Sequence, residues 1–146
     1  MGRSVEIRPM IENDLRGVFL LGRELFGEGG GDTWNETSLA GLLASNLEHS
    51  LIAIRGRSTA GFIIPEVFPN GTVCIRWIAW REGDEIPVAA PLLEAFQSSL
   101  SGKHLTAVRI MIGSENLRLI ELCKNFCFTE LQHILMMGNF FPKNER

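Results

Sequence analysis

The sequence contains no tyrosine and few cysteines, and both shortages limit the chemistry open to it. None of the 146 residues is a tyrosine, so no phenol can act as an acid or base in a reaction. The three cysteines, Cys74, Cys123 and Cys127, are odd in number and widely spaced. Their spacing fits neither a zinc site nor the disulfide framework of a small secreted domain. We therefore expect reduced thiols, mostly buried, and no metal site.

Long apolar runs and strong charge of either sign are also missing. No run approaches the roughly 18 apolar residues that a membrane-spanning helix requires. The opening MGRSVEIRP lacks the apolar region of a signal peptide. A formal net charge of −3 argues against a general nucleic-acid-binding protein, which would show a basic surface. The sequence thus predicts a cytoplasmic protein that binds neither membranes nor nucleic acids.

The composition is that of a globular domain. Hydrophobic residues make up 45% of the chain and charged residues 21%, which is ordinary for a folded protein. A chain of 146 residues is long enough to bury one substantial core. No internal repeat or low-complexity linker divides it, so we expect a single domain over residues 1–146.

Hydrophobic periodicity divides the chain into elements in the order β-α-α-β-β-β-α-β-α-β. Alternating residues predict strands at Ser4–Met10, Leu51–Arg55, Ala60–Phe68, Thr72–Trp80, Leu105–Ile112 and Thr129–Phe141. Apolar stripes predict helices at Ile11–Phe26, Trp34–Asn46, Pro87–Leu100 and after Ser114, the expected N-cap. This order predicts an α/β fold with a mixed sheet and helices on both faces, in which the strands flanking the third helix are parallel neighbours.

The strand Thr72–Trp80 is apolar on both sides near its end, as is typical of a central strand. Strict alternation would place four side chains on one face, those of Val73, Ile75, Trp77 and Ala79. It would place four on the other, those of Cys74, Arg76, Ile78 and Trp80. The tryptophans of this strand, with Trp34, either pack in the core or line a substrate pocket.

A glycine-rich segment, GEGGGD at Gly27–Asp32, separates the first two predicted helices. Its glycines disfavour regular structure because each loses much backbone entropy on ordering. The segment follows a helix rather than a strand, so its context is wrong for a phosphate-binding loop. It is either a flexible connector or a mobile flap over a substrate site.

The stretch from Ser114 to Glu130, SENLRLIELCKNFCFTE, carries the most informative pattern of the chain. Five residues fall at the spacing of Asn-x-x-Ala-x-x-Leu-Tyr-x-x-x-Gly-Phe, namely Asn116, Leu119, Leu122, Cys123 and Phe128. This pattern resembles that of the GNAT superfamily of acyl-CoA-dependent acyltransferases, and the opening IRPMIENDL is similar to the usual start of that family. The resemblance covers nearly the whole chain. It implies a mixed, mostly antiparallel sheet of about six or seven strands.

The resemblance also implies acetyl-CoA as the co-substrate. In the family, the pantetheine arm lies between the last strand of the meander and the next strand. The backbone that would pair with it here belongs to Trp77, Ile78, Ala79 and Trp80. Asn116 matches the residue that approaches the pantetheine; its alternative role is that of a residue favoured at helix starts.

A loop of the pattern Arg/Gln-x-x-Gly-x-Gly/Ala binds the pyrophosphate in this family, through amides at a helix N-terminus. It aligns with Asp84–Ala89, so the implied cofactor-binding residues are Asp84, Ile86, Val88 and Ala89. Asp84 stands in place of the Arg or Gln, and Asp84 and Glu85 would repel a bound diphosphate. Pro87 replaces the first glycine and removes one N–H donor. These differences predict a loop that binds CoA weakly or has lost it.

Catalytic roles follow from the same resemblance. Cys123 stands where the family has the tyrosine that protonates the departing CoA thiolate. A thiol, with an ordinary pKa of about 8.5, is chemically able to do this; the alternative is a small core residue. A general base must take a proton from the attacking ammonium. Glu66 and Glu82, with Asp84, lie near predicted strand ends and are the candidates, unless they are solvated surface charges.

The implied function is transfer of an acetyl group from acetyl-CoA to an amine of a small molecule or a protein by direct attack. Two alternatives remain: a GNAT-fold binding or regulatory protein without catalysis, and an acyltransferase that uses another acyl thioester. We favour an enzyme. The apolar segment ILMMGNFF, residues 134–141, would allow a homodimer if it lay at a sheet edge.

Overall fold

The structure of the chain, a computed structural model, describes residues 4–27, 34–101, 107–112, 115–126 and 128. Its strands are β1 (Val5–Pro9), β2 (Leu51–Arg55), β3 (Ser58–Val67), β4 (Thr72–Trp80) and β5 (Ala107–Ile110). Its α-helices are α1 (Leu15–Phe26), α2 (Glu36–Asn46), α3 (Ala90–Leu100) and α4 (Leu117–Asn125). Short 3-10 turns lie at Glu12–Asp14 and Leu47–His49, and a π-helical turn at Glu85–Ala89 leads into α3.

The five described strands form one sheet in the order β1-β2-β3-β4-β5. The first four pair antiparallel with their neighbours, and β5 pairs parallel with β4. The predicted mixed, mostly antiparallel sheet and the parallel pair around the third helix are therefore confirmed. The described residues contain five strands rather than six or seven. The predicted strand Thr129–Phe141 and residues 28–32 of the glycine segment lie outside the described residues.

Each face of the sheet buries its own hydrophobic core, which confirms the prediction of helices on both faces. On one face, α1 and α2 cover a core that includes Val18, Leu21, Leu39, Phe62 and Ile64. On the other face, α3 and α4 cover a core that includes Ile63, Val73, Leu92, Phe96 and Leu122. We call these the α1–α2 face and the α3–α4 face. Among the described residues, no helix is long and apolar enough to cross a membrane.

The predicted alternation along β4 is correct up to Ile75 and wrong beyond it. Ile64 pairs with Trp77 and Pro65 pairs with Ile75, so Arg76 has no partner on β3 and forms a β-bulge. The extra residue exchanges the two faces for the rest of the strand. Trp77 and Ala79 consequently join the α1–α2 core, whereas Ile78 and Trp80 join Val73 and Ile75 at the α3–α4 core.

An ion pair fixes the start of the first helix against the first strand. The Arg8 guanidinium donates hydrogen bonds of 2.7 and 2.8 Å to the Asp14 carboxylate, which also accepts a 2.8 Å bond from the backbone N–H of Ile11. These bonds hold the pKa of Asp14 below its ordinary value, chiefly through Arg8. The similarity of IRPMIENDL to the family's opening therefore has a structural basis, because its Arg and Asp join β1 to the helical turn.

The fourth helix begins later than the sequence predicts. It starts at Leu117, and the N-cap is Asn116 rather than Ser114, because the Asn116 side-chain oxygen accepts a 3.3 Å hydrogen bond from the N–H of Leu119. Ser114 itself lies outside the described residues. The third helix begins earlier, since the π-helical turn carries helical backbone back to Glu85. Pro91, at the start of α3, has no N–H to donate, which is consistent with a break in the regular series of helical backbone hydrogen bonds there.

Candidate functional site

The fourth and fifth strands separate at the bulge of β4. β5 pairs with β4 only along Thr72–Ile75, whereas β4 continues to Trp80 while paired with β3 on its other side. Among the described residues, no strand pairs with the free edge of β4 from Arg76 onward. The sheet therefore opens into a wedge, whose apex lies at Arg76 and whose mouth lies beyond Trp80.

Side chains hold the free edge of β4 in place from both faces of the sheet. Trp77 packs against Trp34, with 4.9 Å between ring centroids, and Ala79 is buried on the same α1–α2 face. Ile78 and Trp80 pack on the α3–α4 face. Core packing is thus the role of Trp34 and Trp77. The wedge brings the four predicted residues together and leaves backbone groups of one strand edge available for hydrogen bonding.

The loop predicted to hold a diphosphate lies at the mouth of the wedge, at the start of the π-helical turn. The carbonyl of Asp84 accepts hydrogen bonds of 3.0 Å from the N–H groups of both Val88 and Ala89. Of the predicted loop residues, these two therefore use their donors within the turn. No described acceptor pairs with the N–H groups of Glu85 and Ile86, which lie in the first turn, where helical N–H groups lack internal partners.

The acidic side chains of this loop are each paired with an arginine. Asp84 accepts hydrogen bonds of 2.9 and 3.2 Å from Arg55 of β2. Glu82 and Glu85 lie 2.8 and 3.3 Å from the guanidinium of Arg118, in the first turn of α4. The expected repulsion of a diphosphate by Asp84 and Glu85 is therefore offset by nearby positive charge. Arg118 also joins the α3 side of the mouth to the α4 side.

A glycine in β3 allows the π-helical turn to lie close to the sheet. A Cβ atom at Gly61 would lie 2.6 Å from Val88 Cγ1 and 2.7 Å from the carbonyl oxygen of Ala79. Both distances are below any ordinary contact to a Cβ atom, so a side chain at this position would displace either the turn or β4. Gly61 therefore sets the position of the loop relative to the free edge of β4.

Exposed apolar side chains surround the wedge. The three most exposed large hydrophobic residues of the described chain are Ile86, Leu117 and Met111, at 84%, 70% and 65%. Ile86 belongs to the loop, Leu117 opens α4, and Met111 follows β5. Exposed apolar residues scattered singly need no explanation, but three on the elements that border one opening form a surface suited to an apolar ligand.

The two predicted site residues of α4 occupy different environments. Asn116 caps the helix through its side-chain oxygen, which confirms the role of a helix-start residue. Its amide NH₂ group makes no bond to a described residue. Cys123 is buried at 3% exposure within an apolar face of α4, and burial raises the pKa of its thiol. The thiol is therefore protonated at neutral pH. Cys127, the third cysteine, lies outside the described residues.

A second group of polar residues lies near the apex of the wedge. Glu66, at the end of β3, accepts a 2.8 Å hydrogen bond from Arg76, the bulge residue. Glu66 is paired across the sheet with Cys74, whose thiol has a pKa raised by burial and, more weakly, by Glu66. A cavity of about 270 Å³ lies here, lined by Cys74, Ile75, Arg76 and Met111. The carboxylate of Glu66 is thus next to two residues that line this cavity, Cys74 and Arg76, at the point where β4 and β5 part.

The three candidate bases lie at the two ends of the wedge. Glu66 lies near the apex, whereas Glu82 follows β4 at the mouth, where it is exposed and paired with Arg118. Asp84, also at the mouth, is held by both hydrogen bonds from Arg55. The structure therefore separates two carboxylates that the sequence could not distinguish.

Several residues of the site had no sequence signal that would have identified them. Arg55 and Arg118 lie 29 and 33 residues from their partners Asp84 and Glu85, and such long-range ion pairs leave no local pattern. The bulge at Arg76 is equally invisible, because the side chains around it read as a regular alternation. Only Gly61 carried a hint, since an isolated glycine within a predicted strand suggests a bulge or a close backbone approach.

A second cavity lies apart from the predicted site residues. A larger cavity of about 550 Å³ lies between α1 and α2, lined by Leu15, Arg16, Phe19, Glu36, Thr37 and Ala40. None of the predicted site residues lines it.

Within the described part of the chain, no group of three or more His, Cys, Asp or Glu side chains could hold a metal ion.

Comparison with solved structures gives matches over most of the chain, several of them to acetyltransferases. Ard1 from Thermoplasma volcanium superposes with a TM-score of 0.77 and 19% identity, over 88% of this chain and 85% of that chain. AAC(6')-Iy, in complex with the bisubstrate analogue CoA-S-monomethyl-acetylneamine, gives 0.75 and 19%, over 94% and 99%. The aminoglycoside acetyltransferase meta-AAC0020, from an uncultured soil metagenomic sample, gives 0.75 and 14%, over 94% and 97%. The chain therefore has the GNAT fold, as the sequence predicts.

No model of a protein family matches the amino-acid sequence, and no curated protein matches it.

Proposed function

We propose that this protein is an acyltransferase that takes an acetyl group from acetyl-CoA and transfers it to an amine. The observation that carries the proposal is the wedge: β4 loses its β5 partner at Arg76 and continues to Trp80 with no described strand on that edge. An extended ligand with amide groups could add to this edge in the way that a peptide adds to an exposed strand. The pantetheine arm of coenzyme A has two such amides. One structural neighbour, AAC(6')-Iy, was solved with a CoA-containing analogue, which is consistent with this assignment.

The mouth of the wedge fits the remainder of the donor in part. The N–H groups of Glu85 and Ile86, at a helix N-terminus, would hold the diphosphate, with Arg118 of the same mouth as a cation. Ile86 and Leu117 would cover apolar surface of the ligand. Pro87 offers no N–H, and those of Val88 and Ala89 already bond to Asp84. The loop thus offers fewer donors than the family pattern, and we expect weak donor binding.

Glu66 is the base that the geometry favours. An amine is protonated in neutral water and must lose a proton before it can attack a thioester carbonyl. Glu66 lies beside the cavity at the apex and is partly exposed, so an acceptor can reach it. Glu82 and Asp84 are at the mouth, on the side proposed for the diphosphate. Several structural neighbours are aminoglycoside acetyltransferases, which is consistent with an amine as the acceptor.

Cys123 is proposed as the acid that protonates the departing thiolate. Its buried thiol holds its proton at neutral pH, and so has a proton to donate. Asn116 and Cys123 belong to one helix, α4, which follows β5 along the chain, and the proposal places both beside the opening. A thiol is shorter than a phenol, and a water molecule would then complete the proton path.

One observation favours a second candidate, a protein of this fold that binds a thioester or a partner without catalysis. The loop lacks one N–H at Pro87 and uses two others internally, and the residue in the acid's place is almost completely buried. Binding of a donor that lacks the diphosphate, such as an acyl-pantetheine, would depend less on this loop. Comparing acyl-pantetheine with acetyl-CoA therefore distinguishes an acyltransferase that uses another thioester donor.

Two measurements test the proposal together. Isothermal titration with acetyl-CoA should show binding, and release of free CoA should depend on an added amine. Glu66→Gln should reduce amine-dependent CoA release by about 10²-fold or more while leaving donor affinity unchanged. Glu94→Gln, an exposed carboxylate on α3, is the matched control and should leave both unchanged. Absence of binding at millimolar acetyl-CoA would overturn the proposal, and binding without CoA release over a broad amine panel would favour the binding protein.

A further inference from the structure

A row of polar side chains crosses three strands on the α1–α2 face, beside the apex of the wedge. Cys74 of β4 is paired with Glu66 of β3 on one side and with Arg109 of β5 on the other. Directly paired residues of neighbouring strands project to the same face of a sheet, about 4.8 Å apart. Arg76, the bulge residue, adds a second guanidinium through its 2.8 Å bond to Glu66. We call Glu66, Cys74, Arg76 and Arg109 the apex row.

The apex row is positively charged although the chain as a whole is not. Two guanidiniums face one carboxylate, a net charge of +1 when Cys74 is neutral, whereas the formal net charge of the chain is −3. The pKa of Cys74 is raised, so the thiol adds no negative charge at neutral pH. Arg109 is exposed, and no carboxylate of the described residues pairs with it. One cation of the row is therefore available to a ligand.

The apex row also borders the cavity of about 270 Å³, because Cys74 and Arg76 contribute to both. This cavity lies where the proposed thioester would end, at the point of strand separation. A molecule placed there would present one group to Glu66 and another to the guanidiniums. The volume suits a small molecule rather than a large polycation.

We propose that the acceptor is a small amine that also carries an anionic group, a carboxylate or a phosphate. This inference rests on the proposed function and assigns the substrate class of the same site. Arg109 and Arg76 bind the anionic group, since the guanidinium fork matches the two oxygens of a carboxylate or phosphate. A polycationic amine is disfavoured by the same two charges.

In this proposal Arg76 changes its partner from Glu66 to the anionic group of the acceptor, and this change frees Glu66 to act as the base. While Arg76 donates to Glu66, the guanidinium occupies a carboxylate oxygen that would otherwise be free to accept the amine proton. When Arg76 binds the anionic group of the acceptor, Glu66 is released. One proton of the ammonium then passes to Glu66, the amine nitrogen bonds to the acyl carbon, and the carbon–sulfur bond breaks. The departing thiolate takes the proton of Cys123, and the second proton of the nitrogen returns to Cys123 through water, which leaves the amide, free CoA and a protonated Glu66. Productive proton transfer thus depends on an acceptor that carries the anion.

Matched pairs of amines test this inference. β-Alanine is compared with β-alaninamide, and phosphoethanolamine with ethanolamine, while a linear triamine represents the polycations. Binding of each amine to the whole protein is measured by titration, and CoA release is measured with acetyl-CoA present. We expect at least one anionic amine to bind about tenfold more tightly than its neutral counterpart. The carboxylate and phosphate arms show which anion the apex row prefers.

Variants identify the residues responsible. Arg109→Gln and Arg76→Gln should each remove most of the anionic preference, whereas Lys124→Gln, which removes an exposed positive charge on α4, should leave it intact. Neutral amines or the triamine binding and reacting as well as the anionic amines would overturn the inference while leaving the acyltransferase proposal standing. Selective anion binding without donor turnover would support the inference and overturn the proposed function. Absence of binding by every amine would overturn the inference outright.

Discussion

The guanidinium of Arg55 donates two hydrogen bonds, of 2.9 and 3.2 Å, to the carboxylate of Asp84. Arg55 is the last residue of β2, and Asp84 precedes the π-helical turn at the mouth of the wedge. The pair places a neutralising charge beside Asp84, which stands where the family pattern has Arg or Gln. Arg55 therefore offsets the negative charge that Asp84 would otherwise present to an anionic ligand.

Removal of Arg55 should weaken donor binding. Arg55→Gln leaves the Asp84 charge uncompensated near the proposed diphosphate, and we expect the Kd for acetyl-CoA to rise about fivefold at low salt. The difference should shrink in high salt, since screening reduces the repulsion. Titration at two ionic strengths measures it, and Arg57→Gln, an exposed arginine two residues away, is the control. An unchanged Kd at low salt would show that Asp84 does not face the ligand.

Gly61 should tolerate no side chain. Gly61→Ala would force the added methyl against Val88 and the Ala79 carbonyl, and we expect it to lower the free energy of unfolding by about 1–3 kcal/mol. Donor binding should weaken as well, because the turn and β4 would move apart. Gly41→Ala provides the contrast: it lies within α2 with no atom near the new methyl, and should stabilise the protein by about 0.5–1 kcal/mol. Denaturant unfolding measures both, and equal effects of the two variants would contradict the prediction.

The Arg8–Asp14 pair should make stability depend on pH in the acid range. The pKa of Asp14 is lowered in the folded protein, chiefly by the hydrogen bonds from Arg8. The stabilisation is therefore fully present above the unfolded-state pKa of about 4, and is lost as pH falls through the lower folded-state pKa. Arg8→Gln should cost about 1–2 kcal/mol at pH 7 and little at pH 2. Unfolding curves across this range check it; a pH-independent difference would assign the loss to packing of the Arg8 side chain.

Substitution of Cys123 should reduce turnover by more than the loss of a buried packing residue would. If its thiol protonates the leaving group, Cys123→Ala reduces amine-dependent CoA release by about 10²-fold or more, with donor affinity unchanged. Cys123→Ser, which keeps a donor of similar size, should recover part of the rate. Equal turnover in wild type and Cys123→Ala would identify a packing residue only.

The same thiol should influence stability at high pH. Because burial raises the folded-state pKa of Cys123, its contribution is complete below the unfolded-state pKa of about 8.5 and is lost as pH rises through the folded value. Wild type should therefore lose stability relative to Cys123→Ala as the pH rises above about 8.5. Parallel unfolding curves for the two proteins over this range would contradict the prediction.

Elements with strong periodicity were predictable from sequence, and features made by one irregular residue were not. The ends of β4, Thr72 and Trp80, agree with the predicted strand, since alternating β-branched and aromatic residues between two turns define it well. The exchange of its faces at Arg76 could not be predicted, because a bulge depends on the register with β3. Similarly, Asn116 rather than Ser114 caps α4; both residue types are good N-caps, so their identity alone could not decide between them.

The contact between Trp34 and Trp77, 4.9 Å apart, has a practical consequence. With no tyrosine in the chain, ultraviolet emission of the native protein comes from its three tryptophans alone, and two of them lie on β4. Trp77 packs against Trp34 under α1 and α2, while Trp80 is half-buried on the α3–α4 face. The strand that would receive a ligand thus carries its own optical reporters, and occupancy of the opening can be followed in unlabelled protein.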